Sequence, residues 1–172
     1  MPTRRSLLLT GSSLPWLAGC QQRKAKLIGV VPKATAHLFF VSVHKGVDQA
    51  AKDFRIDVQW NGPSDETDHA RQIQIVDALV AQGVDGIAIS ATDERALVAP
   101  LERAIRAGIP ITVFDSAVAI QNYLSFVATD NFGAGATAAR ELAALMHHQG
   151  KIGMVMQKPG GASTGARERG FE

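Results

Sequence analysis

Gln82-Gly83-Val84-Asp85-Gly86-Ile87-Ala88-Ile89-Ser90, followed by Gly108-Ile109-Pro110-Ile111-Thr112-Val113-Phe114, decides the fold of this chain. Each stretch has at or near its start a glycine that ends a helix, and each runs into a short set of β-branched and apolar residues. A continuous apolar run of four or five residues is a strand buried on both faces, the kind that sits inside a parallel sheet. The segments in front of the two glycines are helical. Glu66 to Gln82 places Ile73, Val76, Leu79 and Val80 on one face, and Glu94 to Ala107 fills the space between the two strands. Glycine just past the last helical turn is the residue best suited to the left-handed C-terminal position.

Outward from this unit the same alternation continues. Lys26 to Val31 is a buried strand closed by Pro32, and Phe39 to Phe54 is a helix with Phe40, Val43, Val47, Ala50, Ala51 and Phe54 on one face. Arg55 to Trp60 alternates as a strand and stops at Asn61-Gly62-Pro63, a turn. Leu124 to Val127 is predicted as a fifth strand, Asn131 to His148 as an alanine-rich helix and Gly150 to Met156 as a sixth strand. Ala162 to Glu172 begins another helix, for which the sequence offers no packing partner. Strands alternating with amphipathic helices predict an α/β fold: a doubly wound parallel sheet with helices on both faces. A ten-residue helix is marginal alone, so the reading is of a fragment or an early-ended chain, with residues 150–172 poorly supported.

The first twenty residues bound the compartment. Arg4 and Arg5 precede the apolar positions Leu7, Leu8, Leu9, Leu14, Trp16 and Leu17, and Leu17-Ala18-Gly19 leads to Cys20, the one cysteine of the chain. A basic start, an apolar stretch too short to span a bilayer and a small-residue cut site predict an export signal over residues 1–19. The pattern resembles a bacterial lipoprotein signal, which implies lipidation of Cys20 and a short linker through residue 25. Thr3-Arg4-Arg5-Ser6-Leu7-Leu8 also looks like a twin-arginine signal. The 18 Lys and Arg exceed the 16 Asp and Glu by two. Arg4 and Arg5 account for that excess, leaving no basic face for a nucleic acid. One cysteine excludes an internal disulfide and a Cys-based metal site. His147 and His148 are adjacent, which does not suit a shared metal on a helix. The sequence points to no metal and no cofactor.

In an open parallel sheet ligands bind beyond the carboxyl ends of the strands. The residues there are Lys33, with His37, Phe39 and Phe40 in the loop after it; Ala91-Thr92-Asp93; Asp115-Ser116; and Thr129-Asp130-Asn131. A cation, a hydroxyl, three carboxylates and aromatic rings along one rim suit a polyhydroxylated small molecule. Asp93 and Asp130 also stand where a helix N-cap is wanted, Phe40 is in phase with the core, and Lys33 could be a solvated loop residue. Asp115 has no capping duty and is the first candidate. Gly133-Ala134-Gly135-Ala136-Thr137-Ala138 has the spacing of a dinucleotide-binding turn, but it lies within a helix. Small residues letting that helix approach the sheet explain it better. No nucleophile with its base is visible, and the chain is read as a binding protein, not an enzyme.

The ordered set Ile28-Gly29-Val30-Val31-Pro32-Lys33, Phe39-Phe40 with Gly46, Gln82 to Ile87, Ala107-Gly108-Ile109-Pro110, Phe114-Asp115-Ser116, Thr129-Asp130-Asn131 with Gly135, and Arg167-Glu168-Arg169-Gly170-Phe171 carries a resemblance over Lys26 to Glu172. The chain resembles the periplasmic sugar-binding proteins of ABC importers, of the ribose-binding type. Val31-Pro32-Lys33 and Trp60-Asn61-Gly62-Pro63 look most like the branch that includes rhamnose and autoinducer-2 binders. The resemblance implies an N-terminal type I domain over residues 26–130, and a crossing helix with the start of a second domain over residues 131–172. It implies a sugar gripped between two domains, with delivery to the importer's membrane subunits and contact with the membrane through the lipid anchor only. By position, Asp115 would bind hydroxyls, Phe39 would stack on the ring, Lys33 and His37 would line the mouth, and Arg167 would come from the second domain; Asp93 and Asn131 complete the candidate set. His37-Leu38 and Ser116 depart from the ribose pattern, which puts ribose itself in doubt. With half a cleft the chain is expected to bind sugar weakly or not at all. Other readings are a periplasmic sugar sensor for a signalling receptor, an enzyme on the same scaffold, and a repressor of the lactose type, whose helix-turn-helix does not fit ahead of Lys26.

Overall fold

A computed structural model describes residues 25–172; the predicted signal, Cys20 and the start of the linker lie outside them. Five parallel strands form one sheet in the order β2-β1-β3-β4-β5: β1 (Leu27–Val31), β2 (Asp57–Trp60), β3 (Gly86–Ile89), β4 (Ile111–Phe114) and β5 (Ser125–Val127). The chain steps outward from β1 to β2, then returns to the far side of β1 for β3. That reversal opens a crevice at the exits of β1 and β3.

Helix α1 (Leu38–Phe54) lies on one face, while α2 (His69–Gln82) and α3 (Val98–Arg106) cover the other. The core sits on the α2–α3 side, where Val31, Ile87, Ile89, Ile111 and Val113 meet Ile75, Val76, Leu79, Leu97, Leu101 and Ala104. Gly83 is left-handed at φ 67 and ends α2, as its position predicts. The inward face of α2 is turned from the expected one: Gln72, Ile75, Val76 and Leu79 are buried, with Ile73 and Val80 only partly so. Helix α3 starts four residues later than expected. Asp93 accepts the Arg95 and Ala96 amides in a turn, and the helix forms only after it. Within α1 only Phe40 is buried, and Phe54, expected to face inward, is exposed. An apolar groove of about 500 Å³ remains between α1 and β4–β5, lined by Val30, Val43, Val47, Ala88, Phe114 and Val127 among others.

Beyond β5 the structure corrects three expectations. Residues 150–156 form no strand: Ile152, Val155 and Met156 stand exposed, and none of the five described strands pairs with this stretch. A strand without a partner leaves its amides and carbonyls to water, and the apolar sequence alone does not make one. Helix α5 (Ala162–Phe171) does have a partner, α4 (Asn131–Leu145). The small-residue run of α4 serves that contact, not contact with the sheet. Gly135 faces the backbone carbonyl of Arg167, and Gly170 faces that of Phe132, where a β-carbon on either glycine would collide with main chain.

Candidate functional site

The rim is built from strand exits. Asp115 follows β4 with φ 58, at the centre of a three-residue turn closed by the Ser116 amide donating to the Phe114 carbonyl at 2.6 Å. Left-handed backbone is uncommon away from glycine, though Asp tolerates it better than most, and a residue held there carries strain of about 1–3 kcal/mol. The turn swings the carboxylate back over the sheet end. Ser90, just past β3, donates its hydroxyl to Asp115 Oδ2 at 2.7 Å. Lys33 Nζ lies 3.7 Å from the same oxygen and donates to Ser163 Oγ at 3.1 Å. The Lys33 side chain is 5% exposed and that of Asp115 18%. Lys33 is therefore not the solvated loop residue it might have been. Asp115 keeps one oxygen, Oδ1, without a partner among the described residues.

The N-terminus of α5 docks on this rim. The Ser163 amide donates to Ser116 Oγ at 3.3 Å, and the Glu94 amide donates to the Gly160 carbonyl at 3.1 Å. Between the rim and α5 lies a cleft of about 370 Å³, lined by Asp115, Phe126, Thr129, Asn131, Ser163 and Arg169 among others. Asn131 is 8% exposed; its Nδ2 donates to the Thr129 carbonyl, while its Oδ1 is buried without a donor. A buried carbonyl oxygen left unpaired is costly, and the residue that carries it lines the cleft.

The remaining candidates fall differently. Phe39 is half-exposed and lines the apolar groove together with Asp115 and Thr129, its ring edge-on to Phe40 at 5.0 Å. His37 caps α1, with its Nδ1 accepting the Phe39 amide at 3.2 Å. Asp93 is held by its turn, and the amides of Ala96 and Arg95 keep its carboxyl below the usual range against a smaller opposing effect of burial. Asp130 caps α4 by accepting the Gly133 amide. Arg167 is not among the residues lining the cleft and borders a separate hollow with Gln157, Glu168 and Phe171; Arg169, two residues on, lines the cleft instead. On a helix two residues are about 200° apart, so only one of these arginines can face the rim.

Sequence reasoning missed Gln72, Ser90, Ser163 and Arg169. Gln72 had a signal: a polar residue at the buried phase of α2, one turn before Ile75 and Val76. Ser163 had none, since it meets Lys33 across 130 positions. Among the described residues no three His, Cys, Asp or Glu are grouped to hold a metal ion, and no helix is long and apolar enough to cross a membrane.

The sequence model described as a periplasmic binding protein domain matches residues 28–172. The ribose import binding protein of Bacillus subtilis is 30% identical over 149 residues, covering 87% of this chain and 48% of that protein. The D-allose-binding periplasmic protein of Escherichia coli is 29% identical, covering 82% and 48%. The chain thus spans about half the length of these curated relatives. Among solved structures, a carbohydrate transporter solute binding protein from Agrobacterium radiobacter, in complex with D-arabinose, superposes with a TM-score of 0.83 at 31% identity, covering 87% of this chain and 52% of its own. A solute binding protein from Agrobacterium vitis with bound D-fucose gives 0.81 at 32%, covering 84% and 51%.

Proposed function

We propose, because this chain belongs to the periplasmic binding protein domain family, that it is the sugar-holding part of an exported solute receptor that delivers a monosaccharide-like ligand to an ABC importer. The observation that carries this is the rim itself. A carboxylate with one free oxygen and a buried amide oxygen without a donor belong to residues lining one small cleft, and a buried ammonium lies 3.7 Å from that carboxylate. Asp115 Oδ1 and Asn131 Oδ1 accept, so the ligand must donate, and adjacent sugar hydroxyls do so in pairs. Lys33 donates to a ring or hydroxyl oxygen. The Phe39 ring, on the groove side of Asp115, covers the apolar C–H face. Arg169 supplies a planar fork from α5. Nothing in this set is a nucleophile with a base, and binding without chemistry is the role it fits.

Residues 26–130 then form the N-terminal sugar-binding domain, and residues 131–172 the crossing helix and beginning of a second; the mutual packing of α4 and α5, apart from the sheet core, supports that division. The receptor works in the periplasm. Removal of residues 1–19 and lipidation of Cys20 tether it to the cell envelope, with importer membrane subunits as partners. The relatives named for ribose and D-allose support a monosaccharide ligand.

The test is an amide-shift titration of the chain with a panel of pentoses and hexoses. One wall of a cleft gives weak binding, about 1 mM or poorer, equivalent to roughly 4 kcal/mol, which this assay detects. Shifts confined to Lys33, Asp115, Asn131 and their neighbours are expected with at least one sugar. An unchanged rim with every sugar would overturn the reading.

A further inference from the structure

Gln72 lies in α2, outside the cleft, and is 0% exposed. Its amide makes four hydrogen bonds. Nε2 donates to the Pro32 carbonyl at 3.1 Å and to the Ser90 carbonyl at 2.8 Å; Oε1 accepts the Thr92 amide and the Thr92 hydroxyl, both at 2.8 Å. The orientation is fixed by chemistry, because carbonyls only accept and a backbone amide only donates. Since Thr92 spends its hydroxyl proton on Gln72, the 2.9 Å contact between Thr92 Oγ1 and His69 Nδ1 requires a proton on Nδ1.

We infer that Gln72 is the positioning residue of the sugar site, the side chain that sets Lys33 and Asp115 at their working separation. It rivets the exits of β1 and β3 together at the reversal of strand order. Pro32, which it holds, is covalently next to Lys33. Ser90, which it also holds, carries the hydroxyl bound to Asp115. One amide thus registers the cation and, through one intermediate, the carboxylate. An apolar residue of the same volume would fill the space among Ile75, Val76 and Leu79 and leave the two strand exits free to part. Thr92 is the second rivet, and His69 orients its hydroxyl.

The functional meaning of this inference rests on the sugar-site reading, but its mechanical content is measured without a ligand. Lys33 is buried, so its modification by an amine reagent, read by peptide mass spectrometry, reports how often the rim opens. Gln72→Met should raise the Lys33 labelling rate about tenfold through local opening, and the milder Thr92→Val about threefold. Val76→Ala, a cavity in the same helix facing the core, serves as the control of matched stability and should leave Lys33 near its original rate. If Gln72→Met does not fold, Thr92→Val decides. Labelling in the variants within about twofold of that control overturns the positioning role. For a sugar that shifts the rim of the unaltered chain, Gln72→Met should weaken affinity about tenfold or more. Unchanged affinity alongside faster labelling overturns its role in binding. Failure of the unaltered chain to bind any sugar refutes the sugar reading alone and leaves the labelling result to judge Gln72.

Discussion

The same substitution, glycine to alanine, should have opposite effects in α1 and α4. Gly46 lies inside α1, and a β-carbon there would meet nothing within 4 Å. Alanine at this position restricts the unfolded chain and restores helix propensity, a gain of about 0.5–1 kcal/mol. In a chain of this size that raises the melting temperature by about 2–4 °C per kcal/mol. Gly135, inside α4, gains the same propensity but faces the Arg167 carbonyl of α5, which is main chain and cannot rotate aside. The helices must separate by more than an ångström, an overpacking cost of about 1–3 kcal/mol. The net expectation is a loss of roughly 1 kcal/mol, the difference between those two terms. The loss should be local, because α5 reaches the sheet through Ser163 and little else. Urea unfolding gives the sign for each variant, and amide hydrogen exchange locates the change. In Gly135→Ala, protection should fall across α5 and persist in β1, β3 and β4. A Gly135→Ala chain as stable as the unaltered one, with α5 equally protected, would refute the close-packing argument.

Lys33→Met should leave stability within about 1 kcal/mol, since an apolar side chain suits a buried position and Asp115 retains some water, yet lose a charge-assisted bond of about 1.5–3 kcal/mol to the sugar; calorimetric or shift titration against denaturation separates the two. Asn131→Leu should hold or raise stability, by removing an orphaned acceptor, while weakening sugar binding about tenfold or more; a stability loss with intact affinity would contradict the reading of that oxygen. Asp93 has a folded-state pKa below its unfolded one. Its stabilising effect is therefore complete above the unfolded value and disappears as pH falls through the folded one. The stability curves of the unaltered chain and Asp93→Asn should accordingly differ at pH 6 and converge only once the pH has fallen through the lowered folded-state value. Arg169→Ala should reduce sugar affinity more than Arg167→Ala, a ranking that parallel titrations check.

Much of the fold was legible because its cause is local. Ile87-Ala88-Ile89 and Ile111 to Phe114 are too short and too β-branched for helices, and the glycines before them end the helices in front. Asp115 was legible because it stood after a strand with no helix to cap. Other features were not, because they depend on what the rest of the chain brings near. Gly150 to Met156 has the composition of a strand, but a strand requires a neighbour to pair with, and no described strand pairs with it. The glycines of α4 announced a close contact without saying with what, and the partner proved to be α5.

The sequence by itself determined the alternation of strands and helices, and hence which residues leave the sheet at its carboxyl edge, since both follow from side-chain spacing along the chain. Only the tertiary structure decided that Lys33 is buried against Ser163, that Arg169 and not Arg167 enters the cleft, and that Gln72 binds two strand exits together. Those outcomes hang on the strand order and on the helical phase of α2 and α5, quantities fixed when distant segments pack and written in no single stretch of residues.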